Sequence, residues 1–335
     1  MSEHASRGHI PVMLHEVLAA LPEDTESLPH IANGQKILVD MTFGGGGYSR
    51  AFLEQTDFTV LGLDRDPAAI VRGEALQSAF PKRLKLVETC FSGIDTALVK
   101  AGLCSEEQAQ AGKVVDAVVM DLGVSSFQLD EADRGFSFMH NGPLDMRMSR
   151  SGPSAADLVA EASEEELARI FWTYGEEKAS RRIARALVAA RKEAPFTETK
   201  QLADAVATVK PRRHKDRIHP ATQVFQALRI AVNNELGEIE VAIEKAAQLL
   251  KPGGALIIVS FHSLEDRIVK QMFADMADKK SHVNKYRPEQ EEFKDGFILP
   301  FKGVQEPTSA ESGTNPRARS AKMRVLKRKK ERAAA

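Results

Sequence analysis

Cysteine is nearly absent from this chain of 335 residues, which holds only Cys90 and Cys104. Neither has C-x-x-C spacing or neighbouring histidines, so a disulfide framework and a zinc site lack support and no metal is expected. Both thiols read as structural or incidental, in a reducing cytoplasm. Long apolar runs are also missing: the longest aliphatic stretch, Ala255 to Phe261, is far too short to span a bilayer, and Met1 to Ile10 mixes charged with polar residues. Neither secretion nor a membrane partner is expected. Charge of one sign does not dominate, with 46 Lys and Arg against 47 Asp and Glu giving a net −1. A hydrophobic share of 43% and a charged share of 28% exclude fibrous and disordered classes. The length suits a soluble enzyme of two domains, or one domain with a large insertion.

Two phosphate signatures are missing as well. There is no G-x-x-x-x-G-K-[ST], and Ser49 stands where a dinucleotide fingerprint needs its third glycine. What is present is a run of four glycines, Gly44 to Gly47, directly after the apolar segment Ile37-Leu38-Val39 and Asp40. Glycine costs chain entropy on folding, so such a run points to a ligand lying close against bare peptide groups. A second apolar run, Phe58 to Leu63, ends in Asp64, the spacing at which a βαβ unit presents an acid to a ribose diol. These features favour a nucleoside cofactor bearing a carboxylate, such as S-adenosylmethionine, over a dinucleotide or a triphosphate.

Strand-like runs occur at Ile37 to Val39, Phe58 to Leu63, Leu84 to Val87, Val114 to Met120 and Ala255 to Phe261, separated mostly by helical patterns. Alternation of this kind predicts a parallel sheet with helices on both faces, and a site at the carboxyl ends of the strands, where Asp40, Asp64 and Asp121 fall. Between about Asp130 and Pro220 no strand can be placed. There Ser163 and Glu166 form a capping box, Gly175 can close that helix, and Lys178, Arg181, Arg182 and Arg185 share one helical face. This reads as a helical insertion with a basic wall. A helix from about Thr222 to Leu250 leads back, and Lys251-Pro252-Gly253-Gly254 turns into the last strand. The tail from Arg317 to Arg332 carries many bases and one acid, Glu331, which suggests polyanion contact or a solvated terminus.

The segments Val118 to Ser126 and Arg134 to Phe138 closely resemble the bacterial 16S ribosomal RNA cytosine-N4 methyltransferase family. The likeness extends through His9 to Leu18, Asp40 to Ser49, Leu63 to Asp66, Pro143 to Met148, Tyr174 to Ala186, His219 to Leu236, Ser260 to Lys270 and Asn315 to Arg324. It implies an α/β class I S-adenosylmethionine-dependent methyltransferase fold, Rossmann-like with a mostly parallel sheet, interrupted by an all-helical domain. The core would be 1–130 with 220–335, and the substrate-recognition insertion 131–219. The implied reaction is methylation of a cytidine in the decoding region of 16S rRNA, with the small ribosomal subunit as partner. A homodimer stays open. By motif position the methionine end of the cofactor lies against Gly46, Gly47 and Tyr48, the ribose against Asp64, and the adenine near Phe91 and Asp121, with Gln128 closing the pocket. The chain departs from the family pattern at Tyr48, where histidine is usual, and at Phe127, where proline is common.

Transfer to an exocyclic amine asks for in-line positioning and an acceptor for its N–H, and needs no covalent cysteine. The [DNS]-P-P-[FYW] motif of other amine methyltransferases is missing, since Asp121-Leu122-Gly123-Val124 stands there. Asp145, or the pair Ser125 and Ser126, is the expected acceptor, with Arg147 on a phosphate or, alternatively, with Asp145 and Arg147 as a salt-bridged loop. Arg181, Arg185, Arg217 and His219 are expected to face RNA, the last two alternatively as a cap or hinge. His262, Ser263, Glu265 and Asp266 read as a helix start, with Ser263 as its cap, rather than as a hydrolytic triad.

Overall fold

The computed structural model describes residues 11–23, 35–212, 218–277 and 296–330. Apolar runs covered on both faces favour parallel strands. Accordingly β1 (Ile37–Asp40), β2 (Thr59–Asp64), β3 (Leu84–Glu88), β4 (Val115–Asp121) and β5 (Leu250–Ser260) pair in parallel in the order 3-2-1-4-5. The strand order reverses beside β1, between β2 and β4, so the loops after β1 and β4 diverge and open a crevice at the carboxyl ends. Sequence reading finds these five strands and misses two. β6 (Phe297–Ile298) and β7 (Lys322–Arg328) extend the sheet beyond β5, with β7 antiparallel to both neighbours.

The basic tail is therefore a strand over Lys322–Arg328 and not a solvated terminus there. Its charges serve the fold: Arg324 Nε lies 2.7 Å from Asp266 Oδ1, and Arg328 Nη1 donates at 2.7 Å to the Leu250 carbonyl. The expected long helix is likewise two helices, Thr222–Asn233 and Glu235–Leu249, parted at Asn234, whose φ is +47°. The turn expected at Lys251 to Gly254 lies instead within β5, opposite a register shift between Val115 and Ala117, and Lys251 there has a buried partner, Asp116, at 2.8 Å.

The chain forms two compact units, Met1–Gly123 with Gly237–Ala335, and Val124–Leu236. The second is larger than the expected 131–219 insertion, and packing gives the reason. The helix Thr222–Asn233 buries Val224, Phe225 and Leu228 in the same core as Leu167, Phe171, Ile183, Leu187 and Leu202, and Val124 and Leu129 pack against that core too. In the helix Glu164–Gly175, Ser163 Oγ accepts the Glu166 amide as expected. The left-handed residue that ends it is Glu176, not Gly175. Gly175 instead lies against the Gln223 carbonyl, 2.5 Å from where a Cβ would stand.

Candidate active site

In the first unit the loop after β1 is tied to its neighbours by amides. Phe43 N donates to the Leu63 carbonyl at 2.9 Å, Gly44 N to Asp64 Oδ2 at 2.8 Å, and Asp121 N to Thr42 Oγ1 at 2.7 Å. The ends of β1, β2 and β4 are thereby drawn together. Gly46 has φ +76°, and a Cβ there would stand 2.8 Å from Phe43 Cζ. Gly62 and Gly73 crowd the same ring. At Gly46, then, the tight approach comes from Phe43 beneath the loop as well as from positive φ, a demand that sequence reading assigned wholly to a ligand. The glycines leave the amides bare on the helix Gly47–Gln55, whose start has no side-chain cap. Uncapped first-turn amides suit a carboxylate.

Ser49, the residue that breaks the dinucleotide fingerprint, donates its hydroxyl to Asp40 Oδ2 at 2.7 Å inside the core. Tyr48 is buried: its hydroxyl donates to the Val12 carbonyl and its ring stacks on Phe52 at 6.0 Å. A side chain so used leaves only the backbone of residue 48 for a ligand, so tyrosine in place of histidine is a change of core packing.

The acids define the electrostatics. Burial pushes Asp40 up to about 6, against hydrogen bonds from Ser49 and Thr42 that pull it down. Burial also pushes Asp64 up to about 6, against the amides of Asp66 and Gly44. Each Asp64 oxygen already accepts one amide and keeps a lone pair for a further donor. Asp121 is driven well above the ordinary carboxylate range by burial and then by Asp40 and Glu265, with Arg317 opposing. Its Oδ1 is sealed from solvent and has no hydrogen-bond partner among the described residues. Buried acceptors in this condition call for N–H, O–H or cationic groups. S-adenosylmethionine offers an exocyclic amine, a ribose diol, an ammonium and a sulfonium, together with a carboxylate for the bare amides. The residues present fit it, with Phe91 partly exposed in the loop after β3.

In the second unit the loop Pro143 to Met148 is held rigidly. Arg147 Nε and Nη2 grip Asp145 at 2.9 and 2.6 Å, and Asn233 bonds both the Met146 carbonyl and the Met148 amide. Burial raises Asp145, but the Arg147 hydrogen bonds outweigh it and hold the carboxyl below its usual range. This is the salt-bridged loop geometry, and it leaves Asp145 anionic. A cleft of about 540 Å³ lies over the loop, lined by Glu131, Asp133, Arg134, Asp145, Arg147 and Arg150. Ser125 and Gln128 cap the helix Ser126–Asp130 reciprocally, Ser125 Oγ accepting the Gln128 amide and Gln128 Oε1 the Ser125 amide. Ser126 opens that helix and is half-buried.

Of the residues expected to face RNA, Arg181 is exposed, whereas Arg185 pairs with Glu164 at 3.1 Å. His219 Nδ1 accepts the Ala221 amide in the turn before the helix Thr222–Asn233, whose start has no side-chain cap, and its ring lies 4.7 Å from Phe138. Arg217 lies outside the described residues. In the first unit, the cap of the helix Ser263–Met276 is His262 and not Ser263: His262 Nδ1 accepts the Glu265 amide, and Glu265 Oε2 accepts the amides of Phe261 and His262. Burial pushes both Cys90 and Cys104 thiols up, which removes thiolate character. Sequence reading missed Thr42, Glu265 and Arg317 as neighbours of Asp121. Only the Asn315 to Arg324 motif hinted at the last.

A family model described as the MraW methylase family matches residues 6–329. Proteins of Brucella suis and Brucella abortus, each named ribosomal RNA small subunit methyltransferase H, are 50% identical over 324 residues, covering 97% of this chain and 88% of theirs. An rRNA methylase of Streptococcus thermophilus of known structure covers 95% of each chain at 12% identity with a TM-score of 0.38, too distant to inform the site. Spanned by the family model and half identical to these relatives over nearly its whole length, the chain belongs to the MraW methylase family, with the Rossmann-like class I methyltransferase fold.

Proposed function

We propose that the chain is a cytoplasmic enzyme that methylates N4 of a specific cytidine in the decoding region of 16S rRNA, on the small ribosomal subunit, with S-adenosylmethionine as donor. The observation that carries the reading is the pair of acids Asp64 and Asp121 beside the uncapped start of the helix Gly47–Gln55, in a chain half identical to proteins named as small-subunit rRNA methyltransferases. When bound, S-adenosylmethionine supplies an electrophilic methyl group on a sulfonium. The protein's own part is positioning, because a methyl transfer needs nucleophile, carbon and leaving group in line. Asp64 would take the ribose hydroxyls, the Oδ1 of Asp121, unpartnered among the described residues, would take an adenine N–H, Phe91 would lie against the base, and the backbone of Gly46 with the amides of Gly47 and Tyr48 would hold the carboxylate end. Gln128 is the proposed closing residue.

Asp145 is the proposed acceptor for the cytosine amine. Held anionic by Arg147, it accepts an N–H and orients the nitrogen lone pair, a task for which a low pKa is no handicap. Ser126 is the alternative, since Ser125 is occupied as a cap. The reaction is tested by labelled methyl transfer to small subunits that lack the modification, with the product nucleoside identified by mass spectrometry. N4-methylcytidine is expected, and Asp64→Ala should abolish it. A different modified nucleoside, or none despite cofactor binding, would overturn the reading. For Asp145→Asn, turnover should fall at least a hundredfold with cofactor affinity unchanged; near-normal turnover removes Asp145 from the chemistry.

A further inference from the structure

We propose that the helix pair Glu164–Gly175 and Ser180–Ala190 carries a stacking site for an unpaired RNA base, with Trp172 as the platform and Arg169, Lys178, Arg181 and Arg182 as phosphate contacts. The proposal rests on the RNA-methylation reading and gives it a second point of contact. Trp172 is the chain's single tryptophan and is 60% exposed. Its helix already has a complete apolar face in Leu167, Ala168, Ile170 and Phe171, so the indole adds nothing to the core. Arg169 lies one turn before it on the solvent side. The Glu164–Arg185 pair crosses between the two helices and joins the start of one to the middle of the other. Trp172 stands in the last turn of its helix, and the short connection that follows leads to Lys178, Arg181 and Arg182, all exposed.

Charge identifies the occupant. From Arg169 to Arg182 the solvent side carries these cations against a single exposed acid, Glu176, with Glu165 and Glu166 exposed one turn before Arg169, so the excess of positive charge lies at Lys178, Arg181 and Arg182. The remaining acid of the stretch, Glu177, is buried and bound by Lys210 at 2.6 Å and by the Ala179 amide at 2.7 Å. It fixes the turn and offers nothing outward. Protein interfaces deplete lysine at their centres, whereas a π-face beside exposed cations matches the base and phosphates of single-stranded RNA.

Because Trp172 is the sole tryptophan, its emission reads the site directly. The full chain is titrated with a single-stranded oligoribonucleotide, which adds no tryptophan, under excitation where RNA absorbs little. Quenching at saturation is expected. Trp172→Ala should weaken RNA affinity roughly five- to a hundredfold, and Trp172→Phe much less, with S-adenosylmethionine affinity unchanged in both. Replacing Arg169 and Arg182 by alanine should reduce the salt slope of binding by roughly one to two. Unchanged emission at saturation, Trp172→Ala affinity within twofold of the parent, or emission that changes with protein concentration alone, as self-association would cause, each overturns the site. Its failure is separable from failure of the enzyme reading. Normal methyl transfer with unquenched emission removes only the stacking site, whereas quenching by RNA without methyl transfer removes only the reaction.

Discussion

Asp64 and Asp40 lie one residue class apart in function although burial raises both to about 6. Asp40 is fully buried, bonded to Ser49 and Thr42, and shapes the loop; Asp64 is partly exposed with lone pairs to spare. Hydroxyl donors favour the ionised carboxylate, so S-adenosylmethionine affinity should be constant above about pH 7 and decline as pH falls through about 6. Isothermal titration across pH 5 to 8 checks this, and Asp64→Asn should bind weakly with a flatter profile. Stability of the unliganded protein should move the opposite way. A carboxyl whose folded pKa is raised contributes stability that is fully present below the unfolded value of 3.8 and lost as pH rises through about 6. For Asp40 the shift corresponds to at most about 3 kcal/mol. Urea midpoints should therefore rise on going from pH 7 to pH 5 in the parent, and Asp40→Asn should flatten that rise.

At the scale of the element, β7 shows that a basic run can be consumed by the fold. Arg328 donates to the carbonyls of Gln248 and Leu250, at the end of the helix Glu235–Leu249, where a cation meets the negative end of the dipole. Arg324 and Lys322 both meet Asp266, which they hold below its ordinary range against the upward push of burial. Arg324→Ala and Arg328→Ala should each cost about 1–3 kcal/mol in chemical denaturation. Neither should change the salt slope of RNA binding, which filter binding at several salt concentrations reads. The five parallel strands were legible because their apolar runs end in turn residues and acids. β7 was not, because Lys322-Met323-Arg324-Val325-Leu326-Lys327-Arg328 offers only a short alternation inside a charge run, and its pairing with β5 joins residues as far apart as Ala255 and Lys327. The break at Asn234 was hidden for a different reason, since only a backbone angle marks it within a continuous helical pattern. In the site, Asp64, Asp121 and the glycine loop were readable from spacing. The capping of Ser125 and the pairing of Arg185 with Glu164 were not, because each depends on which of several local partners the packed structure selects.

At the scale of the whole molecule, buried apolar side chains gather around the sheet with Phe43, Phe52 and Val119, and separately among helices with Phe171, Leu187 and Leu228. Each cluster is built from large side chains with essentially no exposure, so each supplies its own burial energy. Of the proposed cofactor residues, Gly46, Asp64, Phe91 and Asp121 belong to the first unit and Gln128 to the second, which also holds Asp145 and Trp172. A ligand stabilises what binds it, by about 2.7 kcal/mol at a hundredfold excess over its Kd. S-adenosylmethionine should therefore raise hydrogen-exchange protection in β1, β2 and β4 far more than in the helices Glu164–Gly175 and Ser180–Ala190. Phe171→Ala, which removes a fully buried ring from the helical core, should cost that unit about 3–5 kcal/mol. It should lower exchange protection across 124–236 and stop methyl transfer to the small subunit, while the cofactor's protection of the sheet stays as in the parent. Equal gains in protection across both units on adding cofactor, or loss of that protection of the sheet in Phe171→Ala, would show instead that the two units fold and unfold as one cooperative body.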